Sequence, residues 1–170
     1  MNFPARACLD RATVGVFNGN LLIVIDVREP RTFHLGLDDT DRPKGGCTTH
    51  LASFFVEELL SVGVEFVDFP NLIRLNPDVP WKTRGNGAVA LRFKSTLNAD
   101  EILDLLKPLL EDYTRGADER TNPGLVIFEG ELPPKDLRDF SERALHTVIR
   151  MEEAEKLLEN SKLGSLHWGD

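Results

Sequence analysis

Between His34 and Leu51 the chain reads H-L-G-L-D-D-T-D-R-P-K-G-G-C-T-T-H-L, and no other stretch constrains the fold as tightly. Thr32 to Leu37 alternates as a buried strand and runs into Asp38, Asp39 and Asp41. Gly45 and Gly46 follow, and from Thr48 to Val62 the residues Leu51, Phe55 and Leu59, with Ala52, Val56 and Leu60 beside them, recur at helical spacing until Gly63 stops the helix. Three carboxylates and a glycine loop therefore meet at one helix N-terminus, whose unpaired amides point back at the loop.

That combination has a chemical use. Amides freed by glycine at a helix start attract anionic oxygens, and the helix dipole adds to the attraction. Carboxylates beside a phosphate repel it unless a hard cation sits between them, and Mg2+ takes one or two carboxylates together with phosphate oxygens. The stretch reads as a Mg2+-nucleotide site, with Asp38, Asp39 and Asp41 toward the metal and Lys44, Gly45, Gly46 and Thr49 toward ATP. The plain alternative is a solvated acidic turn, a Gly-Gly bend and Thr48 or Thr49 as a helix N-cap. It is not a Walker A loop, which needs Gly-Lys followed directly by Ser or Thr, whereas Lys44 precedes the glycines.

The chain of 170 residues is long enough to bury one domain core without a disulfide. With only Cys8 and Cys47 it can build neither a disulfide framework nor a four-cysteine zinc site. His34, His50, His146 and His167 have no metal-binding spacing. The longest apolar run, Leu21 to Ile25, is far short of a membrane span, so a soluble cytoplasmic protein is expected. A net charge of -8 argues against nonspecific nucleic-acid binding by the whole surface. The charge is uneven, however: Pro70 to Ser95 holds Arg74, Lys82, Arg84, Arg92 and Lys94 against Asp78 alone, while Asn98 to Asp170 has 17 acids against 9 bases.

Ala12 to Phe17 and Leu21 to Val27, joined by Asn18-Gly19-Asn20, read as a hairpin in an N-terminal extension, residues 1–33. Further strands are expected at Val64 to Leu75, interrupted near Pro70, at Gly87 to Phe93 and at Leu125 to Phe128. Helices are expected at Asp100 to Tyr113, kinked or ended by Pro108, and as one long segment from Pro134 to about Asn160. Interleaved strands and helices predict an α/β or mixed α+β sandwich of undetermined strand order.

Ahead of the strand at Gly87, Lys82-Thr83-Arg84-Gly85-Asn86 supplies two cations, an amide and flexible backbone. Lys82, Arg84 and Asn86 suit the phosphates of a nucleotide, or equally a solvated basic turn. Asn71, Arg74 and Asn76 either line an RNA or nucleotide surface or cap loops, and Trp81 either stacks on a base or packs at the rim of the core.

The run from Gly36 to Thr49, followed by Asn71 to Pro77 and then by Pro80 to Ala88, resembles the archaeal isoleucine tRNA 2-agmatinylcytidine synthetases, the TiaS family, over roughly Phe33 to Leu158. The resemblance implies an ATP-using, kinase-like domain at 34–160, with 161–170 as the start of a following domain. It implies ATP-dependent phosphorylation of the wobble cytidine of isoleucine tRNA at its C2 oxygen, followed by attachment of agmatine. It also implies that Thr48, the first threonine after Gly-Gly-Cys, is itself phosphorylated; a threonine hydroxyl needs a base or metal, and of the catalytic candidates Asp38, Asp39 and Asp41 either Asp38 or Asp41 suits the role of base. Family members begin near His34 and are longer, so tRNA capture is expected to rest mainly on domains absent here. From the residues alone, a phosphotransferase acting on a small molecule and a noncatalytic nucleotide-binding module both remain open.

Overall fold

The alternating run that ends on the acids becomes the middle of an antiparallel sheet. The computed structural model describes residues 12–17, 20–25, 28–41, 45–82, 85–115, 121–161 and 164–167. In chain order the elements are β1 (Ala12–Phe17), β2 (Asn20–Ile25), β3 (Arg31–Asp38), α1 (Thr48–Ser61), β4 (Glu65–Phe66), β5 (Asn71–Arg74), β6 (Gly87–Ser95), α2 (Ala99–Thr114), β7 (Gly124–Glu129), α3 (Lys135–Ala144), α4 (Met151–Ser161) and β8 (Gly164–His167). The main sheet has the order β4-β6-β3-β7-β8, and β5 shares the outer edge of β6 with β4. Residues directly opposite in antiparallel strands share a face. Leu35 lies opposite Leu91 and Ile127, and Leu37 opposite Val89 and Leu125, which together with Phe33 and Phe93 makes one side of the sheet apolar.

Helices α1 and α2 cover that side. Leu51, Ala52, Phe55 and Leu59 of α1 and Ile102, Leu103, Leu106 and Leu110 of α2 join the strand residues in one buried core. The result is a mixed α+β sandwich of two layers. β1 and β2 pair separately as antiparallel strands in which Phe17 is opposite Asn20.

Local signals explain where α1 and α2 begin and end. At the end of α1, Gly63 takes φ +80°, the Val64 N–H donates to the Leu59 carbonyl at 3.1 Å and the Gly63 N–H to the Leu60 carbonyl at 3.1 Å. That is a Schellman closure, which needs a residue in the left-handed region. At the start of α2, the Glu101 N–H donates to Asn98 Oδ1 at 2.9 Å and the Asn98 N–H to Glu101 Oε2 at 2.8 Å, a reciprocal capping box.

Three expectations differ from the structure. Helix α2 runs unbroken through Pro108, which is exposed. The lost hydrogen bond costs about 3 kcal/mol, whereas burying Ile102, Leu106 and Leu110 contributes about 1.5–3 kcal/mol each. The long C-terminal helix is two, α3 and α4. Between them Thr147, Val148 and Ile149 are three successive β-branched residues that favour extended backbone, and the Leu145 and His146 N–H groups turn to carbonyls three residues back. Finally, the segment read as the start of a following domain contributes β8, whose Leu166 lies opposite Leu125 of β7. A four-residue strand is too short to show periodicity, and its partner lies some forty residues earlier. No helix among the described residues is long and apolar enough to cross a membrane.

An added Cβ at Gly63 meets nothing within 4 Å, so the cost of substitution there is purely conformational. Gly63→Ala is expected to lower unfolding free energy by about 1 kcal/mol and Gly63→Asn by clearly less, since asparagine tolerates the left-handed region; urea melts of the two variants measure the difference.

Candidate active site

β3 ends at Asp38, β7 begins opposite it at Gly124, and β6 begins at Gly87, which also pairs with Arg74 at the end of β5. The acidic loop, the loop from Leu75 to Asn86 and the segment before β7 therefore converge at one end of the sheet. The two motifs that lie some forty residues apart in sequence meet there because β6 is antiparallel to β3.

Within the acidic loop each carboxylate has a different task. Asp38 Oδ1 accepts the Asp39 N–H at 2.6 Å, and Asp39 Oδ2 accepts the Asn122 N–H at 2.9 Å. Asp39 itself sits at φ +48°, a region that aspartate and asparagine enter more readily than most residues. Asp41 Oδ1 accepts the Thr48 N–H at 2.8 Å and lies 3.4 Å from the Thr48 hydroxyl. Asp41 thus satisfies the first amide of α1 from outside the helix and places a negative charge at its positive end. The N-cap position itself belongs to Cys47, whose side chain makes no capping bond. Thr48 is the first helical residue and not the cap, so the reading of Thr48 or Thr49 as an N-cap does not describe this helix.

Thr48 is only 4% exposed, and its hydroxyl also receives a hydrogen bond from the fully buried Thr40 at 3.2 Å. Thr49 is exposed and touches Cys47 Sγ at 3.2 Å. Gly45 and Gly46 take φ +133° and +88°, backbone conformations that favour glycine. Beside the first turns of α1 a cleft of about 330 Å³ runs between Ala52, Val56, Pro70, Leu72 and Val89, with Thr49, Ser53 and Glu57 at its edge.

The acids repel one another and have no cationic partner among the described residues. Burial pushes the Asp38 carboxyl above its ordinary range, repulsion from Asp39 and Asp41 adds to the rise, and the Asp39 N–H opposes it. Asp39 is raised first by burial and then by Asp41, against the Asn122 N–H. Such carboxylates are poised to gain from a cation. Among the described residues, however, no three His, Cys, Asp or Glu side chains cluster so as to hold a metal by themselves. Asp41 is turned to the α1 amide, which leaves Asp38 and Asp39 as the candidates for a cation. Such a pair fits Mg2+, which needs only one or two carboxylates when phosphate supplies further oxygens.

In the second motif, Asn86 Nδ2 donates to the Asn76 carbonyl at 2.6 Å, and the Leu75 N–H donates to the Asn86 carbonyl at 3.0 Å. The exposed Lys82 ammonium donates to the Pro77 carbonyl. Arg74 Nη1 donates to the Gly85 carbonyl at 2.8 Å. Asn76 is 7% exposed and donates its N–H to the Ala144 carbonyl at 3.2 Å, so it braces this loop against the end of α3 and does not line an open surface. Lys44 and Arg84 lie outside the described residues.

Tyr113, which the sequence reading places at the end of the helix expected from Asp100, contacts the start of α1. Its hydroxyl accepts the Cys47 N–H at 2.8 Å, donates to the Cys47 carbonyl at 3.2 Å and lies 3.1 Å from His50 Nδ1. Thr121 likewise donates to the Asp41 carbonyl at 2.9 Å. The only signal for Tyr113 was a phenol at the end of a core stripe, where a buried hydroxyl needs a partner.

Residues 34–168 match the family model of the TiaS TCKD domain. The isoleucine tRNA 2-agmatinylcytidine synthetase TiaS of Pyrococcus horikoshii is 46% identical over 127 residues, 73% of this chain and 29% of that protein. The protein of the same name from Cenarchaeum symbiosum is 41% identical over 143 residues, 80% of this chain and 30% of that one. Among solved structures, the complex of TiaS with its isoleucine tRNA and ATP superposes with a TM-score of 0.75 at 34% identity, over 82% of this chain and 33% of that chain. The complex of TiaS with the same tRNA, AMPCPP and agmatine does so with a TM-score of 0.73 at 31% identity, over 81% and 33%. The chain spans about a third of the length of these relatives. The fold, the acidic loop and the match through 34–168 agree, and the chain belongs to the TiaS family, in the part that the TCKD domain describes.

Proposed function

We propose that this chain is the ATP-using part of an isoleucine tRNA 2-agmatinylcytidine synthetase and carries out phosphoryl transfer at the sheet end where the acidic loop meets α1. The observation that carries the reading is the Asp41-Thr48 pair: a carboxylate oxygen 3.4 Å from a threonine hydroxyl at a helix N-terminus, inside a loop of matching family sequence. The relatives of that name, and the complexes solved with ATP, AMPCPP, agmatine and isoleucine tRNA, support ATP, agmatine and isoleucine tRNA as the substrates.

On this reading the amides of Gly45, Gly46 and the first turn of α1 receive phosphate oxygens, and the apolar cleft between α1 and β5 takes the nucleoside. Lys44 and Arg84 are assigned to the phosphate charge of ATP, while Asn86 holds the second loop in shape and Lys82 holds the Pro77 carbonyl. Asp38 and Asp39 would hold Mg2+, which supplies neutralisation of the charge on the transferring phosphoryl group. Asp41 is the base for the Thr48 hydroxyl, a weak nucleophile that needs one at neutral pH. For the tRNA, phosphorylating the cytidine C2 oxygen converts a poor leaving group into a good one. The agmatine amine then forms the new C–N bond as phosphate departs with the C2 oxygen. Thr48 is buried, so the loop above it must yield before a phosphoryl group reaches its hydroxyl, whereas the neighbouring Thr49 is already exposed.

Incubation with labelled ATP and Mg2+, followed by mass spectrometry of the protein, is expected to place phosphate on Thr48. Thr48→Ala should abolish the label at a stability cost of about 1 kcal/mol for the lost hydroxyl bonds, and Thr49→Ala should keep it. Label on Thr49, or label surviving in Thr48→Ala, overturns the assignment.

A second test uses charge. Asp38→Asn and Asp39→Asn keep an acceptor oxygen and remove one of the crowded charges. Because the folded acids have raised pKa values, their ionisation costs stability above the folded pKa and nothing below the ordinary carboxylate range. Both variants should therefore melt at higher temperature than the native chain at neutral pH without divalent cations. The gain should vanish as pH falls through the carboxylate range, and added Mg2+ should narrow it by stabilising the native chain alone. Labelling by ATP should collapse in both variants; Mg2+-dependent labelling at the native rate would return these acids to the status of turn residues.

A further inference from the structure

The loop between β5 and β6 carries a feature that phosphoryl transfer leaves unused. Trp81 is 75% exposed, although the side chain is among the largest apolar surfaces a chain can bury. It forms one wall of a groove of about 690 Å³, and Val148, Ile149 and Met151, at the junction of α3 and α4, form the other. Val148 and Met151 are themselves about half exposed, at 52% and 55%. The two walls are tied together, because the Asn76 N–H at the base of the loop donates to the Ala144 carbonyl at the end of α3. The groove is thus a braced feature between two elements.

Arg150 lies on the wall opposite Trp81, with Glu152 beside it, and Lys82, the next residue in the chain after Trp81, is exposed and holds the Pro77 carbonyl. Asp78 is the one acid of the stretch from Pro70 to Ser95, which carries five bases in a chain of net charge -8. An apolar strip only a few side chains wide is much smaller than the roughly 20–30 residues a side of a stable protein interface. A single exposed indole beside cations matches the way proteins hold an unpaired base: the ring stacks on the base and the cations meet the flanking phosphates.

We propose that the Trp81 groove is a stacking subsite for one unpaired base of an RNA strand whose reacting nucleotide lies at the acidic loop. The loop that bears Trp81 ends at Asn86, where β6 begins at the same end of the sheet as Asp38. The proposal rests on RNA being the substrate, as argued above. It adds a positioning contact away from the transferring group.

The test measures binding of the full chain to a fluorescently labelled single-stranded oligoribonucleotide and to the same strand in a fully paired duplex, by anisotropy at low salt. ATP labelling of Thr48 without RNA is recorded in parallel. The native chain is expected to prefer the single strand, Trp81→Ala to lose roughly tenfold or more of that affinity, and Trp81→Phe to retain most of it, all three labelling equally with ATP. Equal binding by native and Trp81→Ala chains overturns the subsite. So does preference for the duplex, or a Trp81-dependent self-association with no RNA binding, which would make the groove a protein contact. Trp81-dependent RNA binding in a chain that never labels with ATP keeps the groove and sinks the phosphoryl-transfer reading instead.

Discussion

Strand β3 is hydrogen-bonded along both edges, by β6 on one side and β7 on the other, and it is the one element on which the rest of this structure depends. A strand held on both sides cannot slip by one residue without turning Phe33, Leu35 and Leu37 out of the core. The position of Asp38 is therefore set by the burial of three residues before it. From that end point the chain has about ten residues to reach α1, which must lie flat on the apolar face to bury Leu51, Phe55 and Leu59. The acids are consequently held against a helix N-terminus by the hydrophobic effect acting elsewhere.

The same arrangement creates an electrostatic conflict. The end of a buried strand is a poor place for carboxylates, and burial with mutual repulsion raises Asp38 and Asp39. Three amides offset part of the cost: Asp39 N–H on Asp38, Asn122 N–H on Asp39 and Thr48 N–H on Asp41. Each acid is thereby fixed in orientation while retaining charge that a cation would relieve. Stored electrostatic cost of this kind is common where stability is exchanged for chemistry. Around the acids, Tyr113 clamps Cys47 and Thr121 clamps the Asp41 carbonyl, so α2 and the segment before β7 both brace a loop that belongs to neither.

The outer face of the fold has a different character. Helix α3 buries none of its residues fully, and its junction with α4 is anchored to the β5-β6 loop through Asn76. The exposed Trp81 lies beside that junction, while the acidic excess of the C-terminal half sits mainly on α2 and α4.

Sequence alone determined what depends on neighbours in the chain. The strand ending on acids, the helix opening after Gly45 and Gly46, the stop at Gly63 and the pairing of β1 with β2 all follow from local periodicity and backbone freedom, as does the family resemblance carried by contiguous motifs. Where local rules misled, a longer-range term outweighed them: core burial carried α2 through Pro108, and pairing with β7 drew residues 164–167 into the sheet. Only the tertiary structure decided which amide each acid accepts, with Asp41 turned to Thr48, Asp38 to Asp39 and Asp39 to Asn122. It alone identified Tyr113, 66 residues from the Cys47 backbone that it holds, and brought the second motif to the same sheet end as the first. These are contacts between segments distant in the chain, and a residue type carries no mark of which distant partner will satisfy its hydrogen bonds until strand order and register are set.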